Sequence, residues 1–326
     1  MKAVGCTEFG GPEKLEVLDW PEPEVGPGQV RIALEARGVA FPDTLTIQGK
    51  YQTQPEVPFI PGSEVAGIVT EIADDVTEVK VGDAVLAGIG HGGWTEQAVT
   101  DAARCVLIPD GMDIADAAGF LMNHGTTYYA LKYRADLQPG ETLLVTGAAG
   151  GVGLAAVQLG KVMGARVIAA ASTDEKLTLC KEQGADEVVN YSDGDLKEKV
   201  TALTGGKGAD VIYDAVGGDI FDQCLRCINW NGRLLIIGFA DGRIPQAPAN
   251  LPLLKGCSLV GVFYGRFKQE EPEENEKMVA ELVQMYTDGK VRPYISMKLP
   301  FSEAPKAVEI FNNRAVQGKI ILTNLA

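Results

Sequence analysis

The pattern of apolar and polar positions changes near residue 123, and each part predicts a different kind of structure. Before that point, short apolar runs are separated by glycine and proline, which is typical of a strand-rich, partly antiparallel domain. The runs lie at residues 30–39, 64–72, 84–87 and 105–108. This first part therefore predicts a β-rich domain.

After residue 123, apolar strands alternate with segments of helical length. The predicted strands lie at residues 142–146, 167–171, 187–190, 211–216, 234–237 and 258–263. Gly-Ala pairs precede three of these strands, at the positions where helices are expected to stop. The alternation predicts an α/β fold with a doubly wound parallel sheet.

The last part of the chain predicts two helices and a strand. An acidic run at residues 270–276 opens an amphipathic helix through Tyr286, as expected for a solvated helix N-terminus. A helix at 304–312 and a strand at 319–323 follow. Because so short a segment cannot build its own core, we expect one discontinuous domain of residues 1–122 and 264–326 around a second domain of residues 123–263.

Composition narrows the class of partner. The chain has 326 residues, 46% of them hydrophobic, and a formal net charge of −15. This charge opposes binding to nucleic acid or to an anionic membrane surface, because long-range repulsion disfavours both encounters. Neither a secretory signal pattern nor an apolar run of membrane-spanning length is evident. We expect a cytoplasmic protein whose partner is a small molecule.

The cysteines predict reduced, buried thiols rather than a metal site. Only Cys224 and Cys227 are close in sequence, and they lie in a predicted helix at residues 219–228. Their C-x-x-C spacing is also compatible with redox or zinc chemistry, but no second cysteine pair follows at metal-site spacing. We therefore favour buried thiols.

Residues 142–159 read as a buried strand, a glycine-rich turn and a helix, in the order that dinucleotide binding requires. Ala148 occupies the first position of the glycine fingerprint, and Gly150 and Gly153 occupy the other two. A backbone without side chains lets a pyrophosphate approach, and the free N–H groups of the helix stabilise the anion. The candidate cofactor-binding residues of this turn are Ala148, Gly150, Gly151, Val152 and Gly153.

The end of the second strand of this domain favours NADPH over NADH. An acidic side chain there would bind the ribose hydroxyls of NAD, but the stretch contains Ser172 and Thr173 before Asp174, which looks like a helix start. Small residues leave room for a 2′-phosphate, and Lys176 lies one helical turn further on. Lys176 is equally compatible with a solvated surface position.

The order and spacing of these motifs over almost the whole chain resemble the zinc-free quinone oxidoreductase branch of the medium-chain dehydrogenase/reductase superfamily. The matching stretches are residues 61–67, 81–85, 92–96, 125–128, 147–153, 214–218 and 318–320. The resemblance implies a Rossmann domain inserted in a GroES-like β-rich catalytic domain, with a cleft that holds the nicotinamide.

Zinc-dependent members of the superfamily use a catalytic Cys, His and Cys. The positions of this chain that match them carry Ala40, Ser63 and Asn123, none of which is a usual zinc ligand. The structural zinc lobe of those relatives has no counterpart near residues 86–105. The two histidines, His91 and His124, have no nearby ligand cluster in the sequence. We therefore predict no metal.

The resemblance also implies roles for residues outside the turn. Thr127 would face the nicotinamide, and Phe263 and Gly265 would line its carboxamide through backbone groups. Tyr191 and Arg314 match positions that contact the 2′-phosphate. These residues and Tyr51, which matches an active-site tyrosine, complete the candidate site. Ala40 departs from the family pattern, where asparagine is usual, so that the site has one polar group fewer.

These observations favour an NADPH-dependent, metal-independent reductase that transfers hydride to a quinone. Two alternatives remain open: reduction of an α,β-unsaturated carbonyl or enoyl thioester, and NADPH binding without significant turnover. An enone would benefit from a proton donor, for which Tyr51 is the candidate, although Tyr51 is equally compatible with loop packing. An apolar edge strand at residues 258–263 would pair with its symmetry mate, which predicts a homodimer.

Overall fold

The computed structural model describes residues 1–192 and 194–324. The chain divides into two compact units, one formed by Met1–Met122 with Pro293–Ala326 and the other by Asn123–Arg292. The boundary between residues 122 and 123 coincides with the change of sequence pattern. The boundary near the C-terminus lies between residues 292 and 293 rather than between 263 and 264 as expected, so residues 264–292 belong to the second unit.

The strands are β1 Lys2–Cys6, β2 Leu15–Asp19, β3 Gln29–Val39, β4 Glu64–Ile72, β5 Ala84–Gly88, β6 Gln97–Asp101, β7 Cys105–Leu107, β8 Thr142–Thr146, β9 Arg166–Ala171, β10 Glu187–Asn190, β11 Ala209–Asp214, β12 Ile228–Ile236, β13 Ser258–Gly261, β14 Ile295–Pro300 and β15 Lys319–Thr323. The helices are α1 Phe41–Ile47, α2 Ile114–Ala118, α3 Thr126–Tyr128, α4 Gly151–Val162, α5 Asp174–Glu182, α6 Leu196–Leu203, α7 Gly218–Cys227, α8 Asn250–Lys255, α9 Tyr264–Glu270, α10 Pro272–Thr287 and α11 Ala304–Asn312. Shorter 3₁₀ turns lie at Pro12–Lys14, Ala102–Arg104 and Phe301–Glu303, and π-helical turns at Leu121–Gly125 and Tyr129–Arg134 flank α3.

The first unit is built on an antiparallel sheet, as the glycine-broken apolar runs predict. Its strands follow the order β14-β15-β3-β4-β5-β7, and β6 also pairs with β3. β14 and β15 run parallel to each other, and β15 then pairs antiparallel with β3. The C-terminal segment thereby completes the sheet that the N-terminal segment begins, because the edge of β3 provides hydrogen-bonding groups that a short tail cannot provide for itself.

The second unit contains the doubly wound parallel sheet. Within the described residues its strand order is β10-β9-β8-β11-β12-β13, and every neighbouring pair is parallel. The order reverses between β8 and β11, which is the point where open α/β sheets bind ligands at the carboxyl ends of their strands. The glycine-rich turn follows β8 and therefore lies at this point.

Aromatic packing explains why residues 264–292 join the second unit. The ring of Tyr129 stacks on Phe267 of α9 with 4.3 Å between centroids. Tyr128 donates a hydrogen bond to Glu281 of α10 at 2.7 Å, and Tyr264 donates one to Asn275 at 2.9 Å. The sequence pattern predicts this segment in the C-terminal part of the first domain, because it lies beyond the last strand of the parallel sheet. In the structure, its apolar side chains pack on residues 128–133.

Within the described ranges, no helix combines the length and apolar character that a membrane span requires.

Candidate active site

The glycine-rich turn leaves a bare backbone surface at the N-terminus of α4. Gly150 is the N-cap of α4, and a Cβ at this position would meet only the carbonyl oxygen of Gly147, at 3.4 Å. Ala148 is fully buried and donates its N–H to Ala170 of the neighbouring strand. The N–H groups of Gly151, Val152 and Gly153 lie in the first helical turn, where no intrahelical acceptor exists. The arrangement suits a pyrophosphate.

Gly153 packs the helix against the turn itself. A Cβ there would lie 2.3 Å from the carbonyl oxygen of Gly147 and 2.7 Å from backbone atoms of Ala148. No side chain fits at that distance, so close packing of helix on turn requires glycine at this position. Gly147 has φ of 62°, a conformation in which glycine carries no steric penalty.

Three candidate 2′-phosphate residues lie at one edge of the parallel sheet. Ser172 directly follows β9 and is half-buried. Tyr191 directly follows β10 and donates its N–H to Ala171, the last residue of β9. Lys176 lies in the first turn of α5, which Thr173 caps, and burial lowers the pKa of its ammonium group. The parallel pairing of β9 and β10 therefore places Ser172 and Tyr191 after adjacent strand ends, with Lys176 in the first turn of α5. The first carboxylate after β9 is that of Asp174, which accepts a 2.9 Å hydrogen bond from Asn190, the last residue of β10.

Thr127 is fully buried, and its hydroxyl takes part in hydrogen bonds within the second unit. It donates to the carbonyl oxygen of Val152 at 3.2 Å and lies 2.9 Å from the hydroxyl of Tyr213. Tyr213 belongs to β11 and is itself fully buried, which raises the pKa of its phenol. Thr127 thus connects the helical segment that follows residue 123 to the first turn of α4.

Asp214, at the end of β11, fixes the neighbouring turn. Its carboxylate accepts a 2.6 Å hydrogen bond from the Thr146 hydroxyl and further bonds from the N–H groups of Val216 and Gly217. Burial raises the pKa of this carboxyl group, and the hydrogen bonds oppose the shift. The ends of β8 and β11 are therefore tied together beside the point where the strand order reverses.

Phe263 and Gly265 lie at the start of α9 rather than at the end of a strand. β13 ends at Gly261, and Phe263 is the N-cap of α9 with a side chain that is 55% exposed. The expected strand at residues 258–263 is therefore two residues too long. Arg314 belongs to the first unit, where it adopts a positive φ of 55° just after α11.

In the first unit, Tyr51 follows α1 and lies near a buried carboxyl group. Asp43 of α1 is buried, and its Oδ2 accepts the N–H of Ala40 at 2.8 Å. Burial raises the pKa of Asp43 to about 6, whereas the Ala40 hydrogen bond and the charge of Lys319 oppose the shift. Burial, and then the charge of Asp43, raise the pKa of the Tyr51 phenol, which keeps this phenol protonated.

A buried ion pair lies beside this carboxyl group. Lys319 of β15 places its Nζ 2.8 Å from Oε2 of Glu64, and the two side chains are 2% and 1% exposed. The other carboxylate oxygen of Glu64 accepts the N–H of Met122 at 2.8 Å. A Cβ at Gly38 would lie 2.8 Å from Lys319 and 2.9 Å from Glu64, so glycine leaves the space that the pair occupies.

The positions that match zinc ligands hold no ligand cluster. Ala40 and Ser63 are buried in the first unit, and Asn123 is buried in the second. In the part of the chain that the structure describes, no three His, Cys, Asp or Glu side chains converge as a metal site requires. His91 is exposed, and His124 is buried with its Nε2 3.3 Å from Gln158. The expected burial of Cys224 and Cys227 is confirmed, and both are free thiols.

Comparison with known proteins supplies the family. Residues 26–110 match the family model described as an alcohol dehydrogenase GroES-like domain, and residues 151–284 match the one described as a zinc-binding dehydrogenase. A quinone oxidoreductase-like protein 2 homolog of Nematostella vectensis is 42% identical over 324 residues, which cover 98% of this chain and 88% of that protein. The chain belongs to the quinone oxidoreductase branch of the medium-chain dehydrogenase/reductase superfamily.

Two solved members of this superfamily show the same fold. A quinone oxidoreductase of Escherichia coli complexed with NADPH superimposes with a TM-score of 0.94 at 28% identity, covering 99% of this chain and all of that one. A mycobacterial protein complexed with NADPH gives a TM-score of 0.93 at 33% identity over 99% and 100% of the two chains. The chain is thus an oxidoreductase with a Rossmann-type sheet and a GroES-like domain, as the resemblance implies.

Sequence reasoning did not single out the buried charges of the first unit. Asp43 follows the N-cap Ala40 by three residues, the spacing at which an acidic side chain accepts the N-cap N–H, and this signal was present in the sequence. Glu64 and Lys319 lie within stretches 61–67 and 318–320, which match the family. Their pairing joins positions 255 residues apart and therefore has no local signal.

Proposed function

We propose that this oxidoreductase is NADPH-dependent and metal-independent, and that it transfers hydride to a quinone. One observation carries the proposal: a bare glycine turn follows β8, Ser172 and Tyr191 follow the adjacent strands β9 and β10 of the same sheet, and residues 172–173 directly after β9 carry no carboxylate. Lys176 lies in the first turn of the helix that comes next. Lack of a usual zinc ligand at Ala40, Ser63 and Asn123 supports metal independence. Both solved relatives complexed with NADPH agree with this choice of cofactor.

The residues present fit NADPH. The first-turn N–H groups of α4 would bind the pyrophosphate, since a helix N-terminus favours an anion and no Cβ obstructs Gly150. Ser172, Tyr191 and the Lys176 ammonium would bind the 2′-phosphate. Arg314, in the first unit, matches a further family position for a 2′-phosphate contact. Backbone groups of Phe263 and Gly265 would bind the carboxamide, and Thr127 would hold the segment next to the nicotinamide in place.

NADPH supplies the hydride, so the chain has to orient the acceptor, exclude water and provide a proton. A quinone that accepts hydride becomes a hydroquinone anion, which solvent can protonate. An enone or enoyl thioester gives a more basic enolate and benefits from a protein acid. The protonated Tyr51 phenol beside buried Asp43 is such an acid, and this observation favours reduction of conjugated carbonyls as the second candidate.

A panel of acceptors tests the proposal. Purified protein with NADPH would be given a naphthoquinone, a simple enone and crotonyl thioester in parallel, and NADPH absorbance would be followed for wild type and Tyr51→Phe. The proposed function predicts the highest kcat/KM with the quinone, with little loss on Tyr51→Phe. Tyr51→Phe would cost enone turnover on the order of 10²- to 10⁴-fold if the phenol donates the proton. NADPH binding without oxidation of any acceptor would overturn the proposal.

We further propose that the protein forms a homodimer through β13. Among the described residues, β13 pairs with β12 alone, so one edge of the strand remains available. Next to it, Trp230, Leu253 and Leu254 are 66%, 79% and 68% exposed, and the Trp230 ring lies beside Gly256, between α8 and β13. An isologous pairing would cover both the edge and the apolar side chains.

Light scattering at micromolar concentration tests this assembly. Wild type should have the mass of a dimer, and Leu253→Asp with Leu254→Asp should shift it towards monomer while leaving the melting temperature of the fold nearly unchanged. A monomeric wild type would contradict the proposal.

A further inference from the structure

Asn123 brings an unpaired side-chain amide to the N-terminus of α4. It lies in the π-helical turn that opens the second unit and is 7% exposed. Among the described residues its side-chain amide has no hydrogen-bond partner, yet neither amide atom is among the fully buried atoms that lack one, so both keep some contact with solvent. An amide that the protein itself does not use is therefore available to a ligand that binds at this place.

The geometry directs the amide to the first residue of the helix. A Cβ at Gly151 would lie 2.5 Å from Nδ2 of Asn123 and 2.9 Å from its Oδ1, so the amide fills the space that a side chain at 151 would take. Gly151 is the first residue of α4, whose free N–H groups point outwards at this end. An anion at the helix terminus would therefore lie within reach of both the backbone N–H groups and the Asn123 amide.

The polar side chains that follow Asn123 in this segment already have partners within the protein. Thr127, one helical turn along, uses its hydroxyl within the protein, on Val152 and Tyr213. His124 contacts Gln158. Asn123 is thus the polar side chain of this segment whose hydrogen-bonding groups the described structure does not use.

We propose that the Asn123 side chain is a cofactor-binding residue that donates its Nδ2–H to a pyrophosphate oxygen of the dinucleotide. This inference rests on the proposed NADPH dependence and adds a neutral donor to the backbone N–H groups of α4. A neutral amide suits this place, since it donates a hydrogen bond to the anion without requiring the burial of a further charge.

Binding of three ligands to wild type, Asn123→Ala and Asn123→Asp tests the proposal. NADPH and 2′-phospho-ADP-ribose contain the pyrophosphate, whereas 2′-AMP has the adenosine and its 2′-phosphate without it. Calorimetry or competition would give each Kd, and thermal melting would confirm that each variant is folded. Asn250→Ala, an exposed asparagine of α8, serves as the control.

We expect Asn123→Ala to weaken NADPH and 2′-phospho-ADP-ribose by roughly 10-fold, the usual effect of removing a hydrogen bond to a charged group. Asn123→Asp should weaken them further, because it keeps the shape of the side chain but repels the anion. Binding of 2′-AMP should be unchanged in both. The control should behave as wild type.

Other outcomes overturn the inference. Equal losses for all three ligands, or an Asp variant closer to wild type than the Ala variant, would indicate a packing role. A loss with NADPH alone would place the contact at the nicotinamide. No loss with any ligand would also exclude the contact. These results differ from failure of the proposed function, which would appear as wild-type protein that does not bind NADPH.

Discussion

Lys319 and Glu64 form an ion pair of 2.8 Å that is almost completely buried. It joins the last strand of the chain to β4, between positions 255 residues apart. Burying two charged groups costs desolvation free energy. The attraction between the two charges and the hydrogen bond from the Met122 N–H to Glu64 offset this cost. The pair therefore fixes how the C-terminal strand joins the first unit, next to Asp43.

Removing one partner of this pair should destabilise the first unit strongly. Lys319→Met leaves the Glu64 carboxylate buried without a counter-charge, and we expect a loss of about 3 to 5 kcal/mol in the free energy of unfolding. Urea denaturation followed by circular dichroism would measure it. Lys319→Met combined with Glu64→Gln should recover most of the loss, because the amide keeps an acceptor for Met122 and removes the charge. An unaffected Lys319→Met variant would show that the pair contributes little.

The two glycines of the turn should respond differently to alanine. At Gly153 a Cβ would lie 2.3 Å from a backbone oxygen, whereas at Gly150 the nearest atom is 3.4 Å away. We expect Gly153→Ala to lower stability by about 1 to 3 kcal/mol, as overpacking does. Gly150→Ala should leave the melting temperature nearly unchanged and weaken NADPH binding, because its Cβ covers the bare backbone. Equal melting temperatures for the two variants would contradict this geometry.

Most of the fold could be predicted from the sequence where local pattern and packing agree. The bounds of β4, β8, β10, β15 and α11 were predicted residue for residue. Strands β1, β2, β6 and β14 were not singled out. β2, β6 and β14 are short and partly exposed, so their patterns are weak, and β1 is a buried run of only five residues. Residues 264–292 were assigned to the wrong domain for another reason. The stacking of Phe267 on Tyr129 is a tertiary contact, and local sequence patterns do not predict such contacts.

In the candidate site, the sequence predicts the position of residues that directly follow strands. It does not predict the contacts of residues whose partners are distant in the sequence. Ser172 and Tyr191 follow adjacent parallel strands, so strand order alone places them together. Thr127 shares a hydrogen bond with Tyr213, 86 residues away, and Asn123 packs on Gly151. These contacts depend on how the segment after residue 122 packs on α4, which periodicity does not specify.

Asp43 should make stability depend on pH. Its pKa of about 6 lies above the ordinary 3.8, so the folded state holds this proton more tightly than the unfolded state. The contribution is fully present below pH 3.8 and is lost as the pH rises through about 6. Asp43→Asn removes the titration. Relative to this variant, wild type should lose about 3 kcal/mol of unfolding free energy between about pH 3.5 and pH 7. A difference independent of pH would show that Asp43 titrates normally.

Lys176 should determine the choice of cofactor. It lies in the first turn of α5, which follows β9 and Ser172, and Tyr191 follows the neighbouring strand β10. We expect wild type to bind NADPH more tightly than NADH and Lys176→Ala to lose most of that preference by weakening NADPH alone. Lys181→Ala, on the same helix, is the matched control and should keep the preference. Equal dissociation constants of wild type for the two cofactors would contradict the assignment.

The most direct test of the central claim is the stoichiometry of quinone reduction without metal or oxygen. Protein treated with EDTA would be mixed anaerobically with NADPH and a limiting amount of a naphthoquinone, and both absorbances would be followed to completion. An NADPH-dependent, metal-independent quinone reductase should consume one NADPH for each quinone at a rate that EDTA leaves unchanged. NADPH that binds but is not oxidised, or turnover that EDTA abolishes and zinc restores, would contradict the account.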